Sequence, residues 1–157
     1  MTPKSLLRLP AASCSLAELT NGSFRTVIED RLPSAESDAH IVFLTGKLFY
    51  EVADAFKKTE IKNVKIVRIE QLYPFPQFEL KKLLKDCQPQ SFTWIQEEPQ
   101  NMGAWNYIEP YLRGKLNADT LYIGRPASAS TAAGSNKRHI KEQQKILEEL
   151  VVRVRSK

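Results

Sequence analysis

The chain is expected to fold as a three-layer α/β/α domain around a mostly parallel, five-stranded sheet. Short apolar runs rich in branched residues recur along it, each followed by a segment of helical period, and the connections between them are brief. Apolar runs of this length read as strands buried on both faces. Strand–helix alternation with short links builds βαβ units, which place helices on both faces of a parallel sheet.

Residues 1–14 carry no periodicity and read as an extended lead-in; residues 15–157 read as one domain. Ser15 with Glu18 fits a capping box that opens the short helical stretch SLAEL, and Asn21-Gly22 stops it. FRTVIED (24–30) is a first short strand, followed by the polar connection RLPSAESDAH (31–40). IVFLTG (41–46) is a strand buried on both faces, and KLFYEVADAFKKT (47–59) places Leu48, Val52, Ala55 and Phe56 at helical spacing. VKIVRIEQL (64–72) is an alternating strand. PFPQFELKKLLKDC (74–87) has Pro76 near a helix start, with Leu80, Leu83, Leu84 and Cys87 on one face. SFTWIQEE (91–98) is the next strand, and the helix through GAWNYIEPYLRG (103–114) is expected to end or kink at Pro110. TLYIGR (120–125) is the last strand. NKRHIKEQQKILEELVVRV (136–154) is a long final helix with a stripe of Ile140, Leu147, Leu150 and Val154, and Ile146 and Val151 beside it.

Composition narrows the function classes. With 157 residues, 42% of them hydrophobic and 26% charged, the chain suits one globular core. No apolar run approaches the roughly 20 residues that span a bilayer, so no membrane partner is expected. The basic N-terminus lacks a continuous apolar core and is a poor signal peptide. Much of the net charge of +5 lies in Lys137, Arg138, Lys141, Arg153, Arg155 and Lys157. No aromatic residues interleave with these groups as a stacking platform for bases requires, so they read as a solvated helix face and tail, without nucleic acid. Cys14 and Cys87 stand far apart without CxxC spacing, which favours a reducing compartment and supports no zinc site. Cys87 reads as a small buried hydrophobe.

Thr45-Gly46-Lys47 lies between strand and helix, where phosphate loops occur, but position 48 is leucine and the GxxxxGK[ST] frame is incomplete. Gly46 reads as the residue of a tight turn. Free amides at the helix start, with Lys47 nearby, can hold an anion. In GRPASAS (124–130), Arg125, Ser128 and Ser130 read equally as an anion seat or a solvated loop. Glu70 reads as a carboxylate paired with Arg68 or capping the turn of Pro74 and Pro76. Glu97 and Glu98 end a central strand, where open α/β sheets place their ligand crevice. Adjacent strand residues point to opposite faces, so the two cannot jointly flank one substrate atom. His40 and His139 have no nucleophile at diagnostic spacing, and no His, Asp or Glu cluster has metal-ligand spacing. No complete catalytic constellation is present, which favours binding or assembly over independent catalysis.

Five stretches, MTPKSLLR (1–8), TGKLFYE (45–51), VKIVRIEQLYPFP (64–76), WIQEEPQNMGAW (94–105) and GRPASAS (124–130), together resemble the C-terminal domain of the thiamine-diphosphate-dependent first component of 2-oxoglutarate dehydrogenase. The resemblance implies a transketolase C-terminal-like fold and a longer enzyme in which this is the last portion and Met1 an internal methionine. It implies decarboxylation of 2-oxoglutarate followed by succinyl transfer to the lipoyl group of a second component, the dihydrolipoyl succinyltransferase. Thiamine diphosphate and magnesium would sit between other domains, across a homodimer interface, and none would bind this domain. The implied compartment is the cytoplasm in a bacterium and the mitochondrial matrix in a eukaryote.

Some members of that family are activated by acetyl-CoA. The resemblance places Thr45 and Arg125 near the effector site, with Lys47 and Ser128 as further candidates for an anion. Ile61 stands where activated members carry a basic residue, and Met102 where many relatives have glutamine. Gln96, Glu97, Glu98, Gly103 and Trp105 are candidate interface or structural residues, with Trp94 and Trp105 packing around the turn. Three readings follow: an assembly and regulatory domain without catalysis of its own, a free-standing module for an anionic nucleotide such as acetyl-CoA, and a small enzyme using Glu97 or Glu98.

Overall fold

The computed structural model describes residues 3–31, 40–85 and 87–155. After two short 3-10 turns at Lys4–Leu6 and Pro10–Ala12 come α1 (Leu16–Asn21), β1 (Val27–Arg31), β2 (His40–Leu44), α2 (Leu48–Lys58) and β3 (Val64–Ile69). Then follow α3 (Gln77–Leu84), β4 (Ser91–Pro99), α4 (Trp105–Leu116), β5 (Thr120–Arg125) and α5 (Asn136–Arg155). The five strands form one sheet in the order β1-β3-β2-β4-β5. β1 runs antiparallel to β3 at one edge, and every other pairing is parallel. The expected fold class is the one observed.

Side-chain alternation along the strands divides the core in two. On one face Val42, Leu44, Ile66, Ile95 and Ile123 meet Leu48, Val52 and Phe56 of α2 and Ile146, Leu150 and Val154 of α5. On the other, Ile41, Phe43, Val67, Ile69 and Trp94 meet Leu80 of α3 and Ile108 and Leu112 of α4. β2 is buried at every residue, as a central strand between two helical layers must be.

Several local expectations are corrected. The lead-in is not extended throughout, since its two 3-10 turns close on backbone hydrogen bonds such as Leu7 N to Lys4 O. Pro110 neither ends nor visibly interrupts α4. It lies in the second turn with Asn106 one turn before it, and both residues face solvent, so water can serve the carbonyl that proline leaves without a donor. The buried stripe of α5 is rotated: Gln143 lies inside and Ile140 is 57% exposed. Arg68 pairs with Asp30 on β1 at 3.1 Å rather than with Glu70. Most of the polar connection (residues 32–39) and Lys157 lie outside the described residues.

The capping box occurs as expected. Glu18 N donates to Ser15 Oγ at 3.1 Å while Ser15 N donates to the Glu18 carboxylate at 2.8 Å. The Ser15 amide, and after it the Ser15 hydroxyl at 3.0 Å, donate to the Glu18 carboxylate and hold it below its ordinary range.

Candidate functional site: the carboxyl ends of the strands

β2, β4 and β5 run parallel, so their carboxyl ends open on one edge of the sheet, and the loops after them carry the sequence candidates. The β4 turn is organised by Gln96, which is 3% exposed. Its Oε1 accepts from Trp94 Nε1 at 2.9 Å and from the Trp105 amide at 3.1 Å. Its Nε2 donates toward the carbonyls of Met102 (2.8 Å), Pro99 (3.1 Å) and Glu98 (3.2 Å). One amide thereby serves an indole, a helix-start amide and three carbonyls of the turn, of which Glu98 O also accepts from Tyr122 Oη and Pro99 O from the Met102 amide.

Gly103 makes this fit possible. Its φ is +66°, and a Cβ there would stand 3.0 Å from Glu98 Cβ and 3.1 Å from Gln96 Nε2. Met102 joins the turn through its backbone: its amide donates to Pro99 O and its carbonyl accepts from Gln96. The glutamine expected at that position is therefore not needed to close the turn.

Glu97 and Glu98 diverge. Glu97 accepts from Lys47 Nζ at 2.6 Å, joining β4 to the start of α2. Lys47 also reaches Glu51 at 3.5 Å. Burial draws the Lys47 pKa down, but the Glu97 hydrogen bond and the charges of Glu97 and Glu51 outweigh it, and the net direction is upward. Lys47 is thus a cation already held between two carboxylates. Glu98 lies on the Gln96 and Gly103 side.

Arg125, at the end of β5, is similarly occupied. Its Nη2 lies 2.8 Å from His139 Nδ1, and its Nε lies 3.0 Å from Glu142 Oε2 without hydrogen-bond alignment. A guanidinium only donates, so His139 accepts through Nδ1 and carries its ring proton on Nε2. The Glu142 carboxyl is held below its usual range by its hydrogen bond with Arg138, which outweighs the opposing effect of burial, and then by the charges of Arg138 and Arg125. His40 lies at the opposite end of the sheet, its Nδ1 2.7 Å from Ser91 Oγ.

The structure thus distributes the anion candidates. Thr45 lines a cavity of about 410 Å³ with Gln96, Glu98, Gly103 and Tyr107. Arg125 lines another of about 310 Å³ with Glu97, Glu98, His139 and the 131–136 loop. Lys47 lines a third, of about 750 Å³, with Phe49, Arg68 and the lead-in. Glu98 borders the first two. Ser128 is bound to the β4 loop by a two-way pairing: its amide donates to Asn101 Oδ1 at 2.9 Å, and its carbonyl accepts from Asn101 Nδ2 at 3.0 Å.

Asn101 and Tyr122 are the residues that sequence reasoning missed. Tyr122 Oη lies 2.9 Å from Arg125 O and 3.1 Å from Glu98 O, so it ties the ends of β4 and β5 together. Burial pushes its phenol up to about 12. Gly124 makes room for it, since a Cβ there would lie 2.3 Å from Tyr122 Oη. Asn101 carried a signal, a turn-forming residue in a motif already singled out; Tyr122 is one residue of an ordinary alternating strand and carried none.

Three comparisons with known proteins bear on this geometry. The family model described as 2-oxoglutarate dehydrogenase C-terminal matches residues 13–151. A 2-oxoglutarate dehydrogenase E1 component of Bacillus pumilus is 42% identical over 98% of this chain and 17% of its own length. An oxoglutarate dehydrogenase of Buchnera aphidicola is 42% identical over 94% of this chain and 16% of its own length. The E1 component of Haemophilus influenzae is 40% identical over 95% and 16%. The chain therefore spans about a sixth of the length of these relatives. A solved 2-oxoglutarate:ferredoxin oxidoreductase from Magnetococcus marinus superposes with a TM-score of 0.50 at 9% identity, covering 79% of this chain and 20% of that one. At that identity it speaks to the fold alone.

Proposed function

The chain belongs to the 2-oxoglutarate dehydrogenase C-terminal family, and on that premise we propose that it serves as the assembly and regulatory domain of a 2-oxoglutarate-decarboxylating enzyme without catalysing alone. One observation carries the reading. The cations at the strand ends, Lys47 and Arg125, are engaged within the domain, by Glu97 and Glu51 and by His139 and Glu142. Such an edge holds loops in shape and offers a formed surface to neighbours.

The residues present do not fit thiamine diphosphate with magnesium. Among the described residues no three His, Cys, Asp or Glu groups are placed to hold a metal ion, and the two cations that would meet a diphosphate each face a carboxylate. The cofactor belongs in this reading to other domains of the enzyme, where it would supply the carbanion chemistry of decarboxylation. The same reading makes those domains, a homodimer mate and a lipoyl-bearing succinyltransferase its partners, and the cytoplasm its place in a bacterium. The alternative of a free-standing module draws no support from relatives of whose length the chain covers 16–17%. Among the described residues no helix is long and apolar enough to cross a membrane.

Calorimetric titration tests both halves of the proposal. Thiamine diphosphate with magnesium is expected to give no binding heat with this chain, and tight binding would overturn the non-catalytic assignment. Acetyl-CoA is the regulatory titrant. An anion must displace Glu142 from Arg125, so binding is expected to be weak and to vanish in Arg125→Ala; undiminished binding in that variant would remove Arg125 from the effector role.

A further inference from the structure

Lys65 is an unusual resident of β3. Its side chain is 4% exposed, on the face of the sheet covered by α3 and α4. A buried ammonium is costly unless paired and hydrogen-bonded. Two groups from different elements serve it. Glu29 of β1, which sits opposite Val67 and so one step diagonal to Lys65, places Oε1 at 3.2 Å. Cys87, just beyond α3, places Sγ at 2.9 Å from Nζ. The thiol proton points away, with Leu83 O 3.5 Å from Sγ, so a sulfur lone pair faces the lysine. Cys87 is half-buried and forms no disulfide, so a small oxidant can reach it. The expectation of a small buried hydrophobe is corrected here: the Cys87 sulfur belongs to a polar cluster with Lys65 and Glu29.

An amine, a thiol and a carboxylate held at these distances are the components of an oxidative condensation. We propose that Lys65 and Cys87 form a reversible covalent crosslink when the protein meets a peroxide, making Cys87 a modification site. In the first step the Cys87 sulfur attacks hydrogen peroxide, the O–O bond breaks, and sulfenic acid and one water form. Sulfur is oxidised by two electrons and peroxide reduced by two. In the second step Glu29 takes a proton from the Lys65 ammonium, and the freed amine attacks sulfur. The S–N bond forms as the S–O bond breaks, and the hydroxyl leaves as water with a proton. The product is a sulfenamide two hydrogens lighter than its parents, the reaction sulfenic acids undergo with other nearby nitrogens. Two equivalents of an external thiol return the amine and the cysteine while forming their own disulfide. The linkage ties β3 to the end of α3, and it removes the charge that pairs Lys65 with Glu29 on the edge strand.

Mass mapping after peroxide treatment tests this in the intact protein. The expected product joins the peptides of Lys65 and Cys87, lacks two hydrogens, resists trypsin at Lys65 and reverts with dithiothreitol. Exposed Cys14 serves as the comparison, since its sulfenic acid should be trapped by dimedone. Lys65→Arg keeps the charge but presents a poor nucleophile. In that variant the crosslink should vanish and Cys87 should become trappable or proceed to sulfinic acid. Oxygen or dimedone accumulating on Cys87 of the unaltered protein, with Lys65 still cleaved by trypsin, would overturn the proposal. That readout does not depend on how any variant folds.

Discussion

Replacing Gln96 with leucine keeps most of the side chain's volume but removes the hydrogen bonds that its amide makes within the β4 turn, leaving the backbone bond from Met102 N to Pro99 O. The Trp94 indole and the Trp105 amide lose their acceptor and Met102 O loses its donor, while Glu98 O keeps Tyr122 Oη and Pro99 O keeps the Met102 amide. Buried groups left unpaired cost about 1–3 kcal/mol each, partly relieved where water reaches the turn, so a net loss of about 2–4 kcal/mol is expected. Denaturant unfolding should show it as a lower midpoint at unchanged slope. The reverse lesson holds for Glu97 and Glu98. Alternation along a strand gives them different neighbours and the fold gives Glu97 to Lys47, yet both still border the cavity of Arg125.

At the scale of elements, helices were legible as helices, but which residues they bury was less so. The α5 pattern offers overlapping apolar stripes because Ile140, Ile146, Leu147, Leu150, Val151 and Val154 spread around much of its circumference. Contact with α2 and the sheet selects Ile146, Leu150 and Val154 and leaves Ile140 outside. Leu150→Ala is accordingly expected to cost about 2–5 kcal/mol through the cavity it leaves. Ile140→Lys should stay within about 0.5 kcal/mol. Thermal unfolding of the pair checks the assignment, and equal losses would mean the stripe runs through Ile140 after all. Pro110 teaches the same point from the backbone, since a proline forbids a hydrogen bond but not a helix whose freed carbonyl faces water.

For the molecule as a whole, the join between β4 and β5 connects the Gln96 turn to the loop that carries Arg125, and Tyr122 is its pin. Its phenol is raised to about 12, chiefly by burial, while an unfolded tyrosine titrates near about 10. Below pH about 10 both states keep the proton and Tyr122 adds no pH dependence. Between about 10 and 12 the unfolded chain releases a proton that the fold retains, so stability falls as pH rises. Tyr122→Phe should flatten the decline across that window once the other titrating groups are subtracted by comparison, and identical slopes would refute the assignment. Apolar period and strand–helix alternation determined the three layers and the mostly parallel sheet, and the spacing of Ser15 and Glu18 determined the capping box, all of them local properties that need no partner. The sequence also brought the loops after β2, β4 and β5 to one edge, because parallel strands share their carboxyl ends. Only the tertiary structure decided that Lys47 meets Glu97, that Arg125 meets His139 and Glu142, and that Lys65 meets Cys87 and Glu29. Those groups lie 14 to 50 positions apart, and pairing across such separations is set by sheet order and register, which no local pattern encodes.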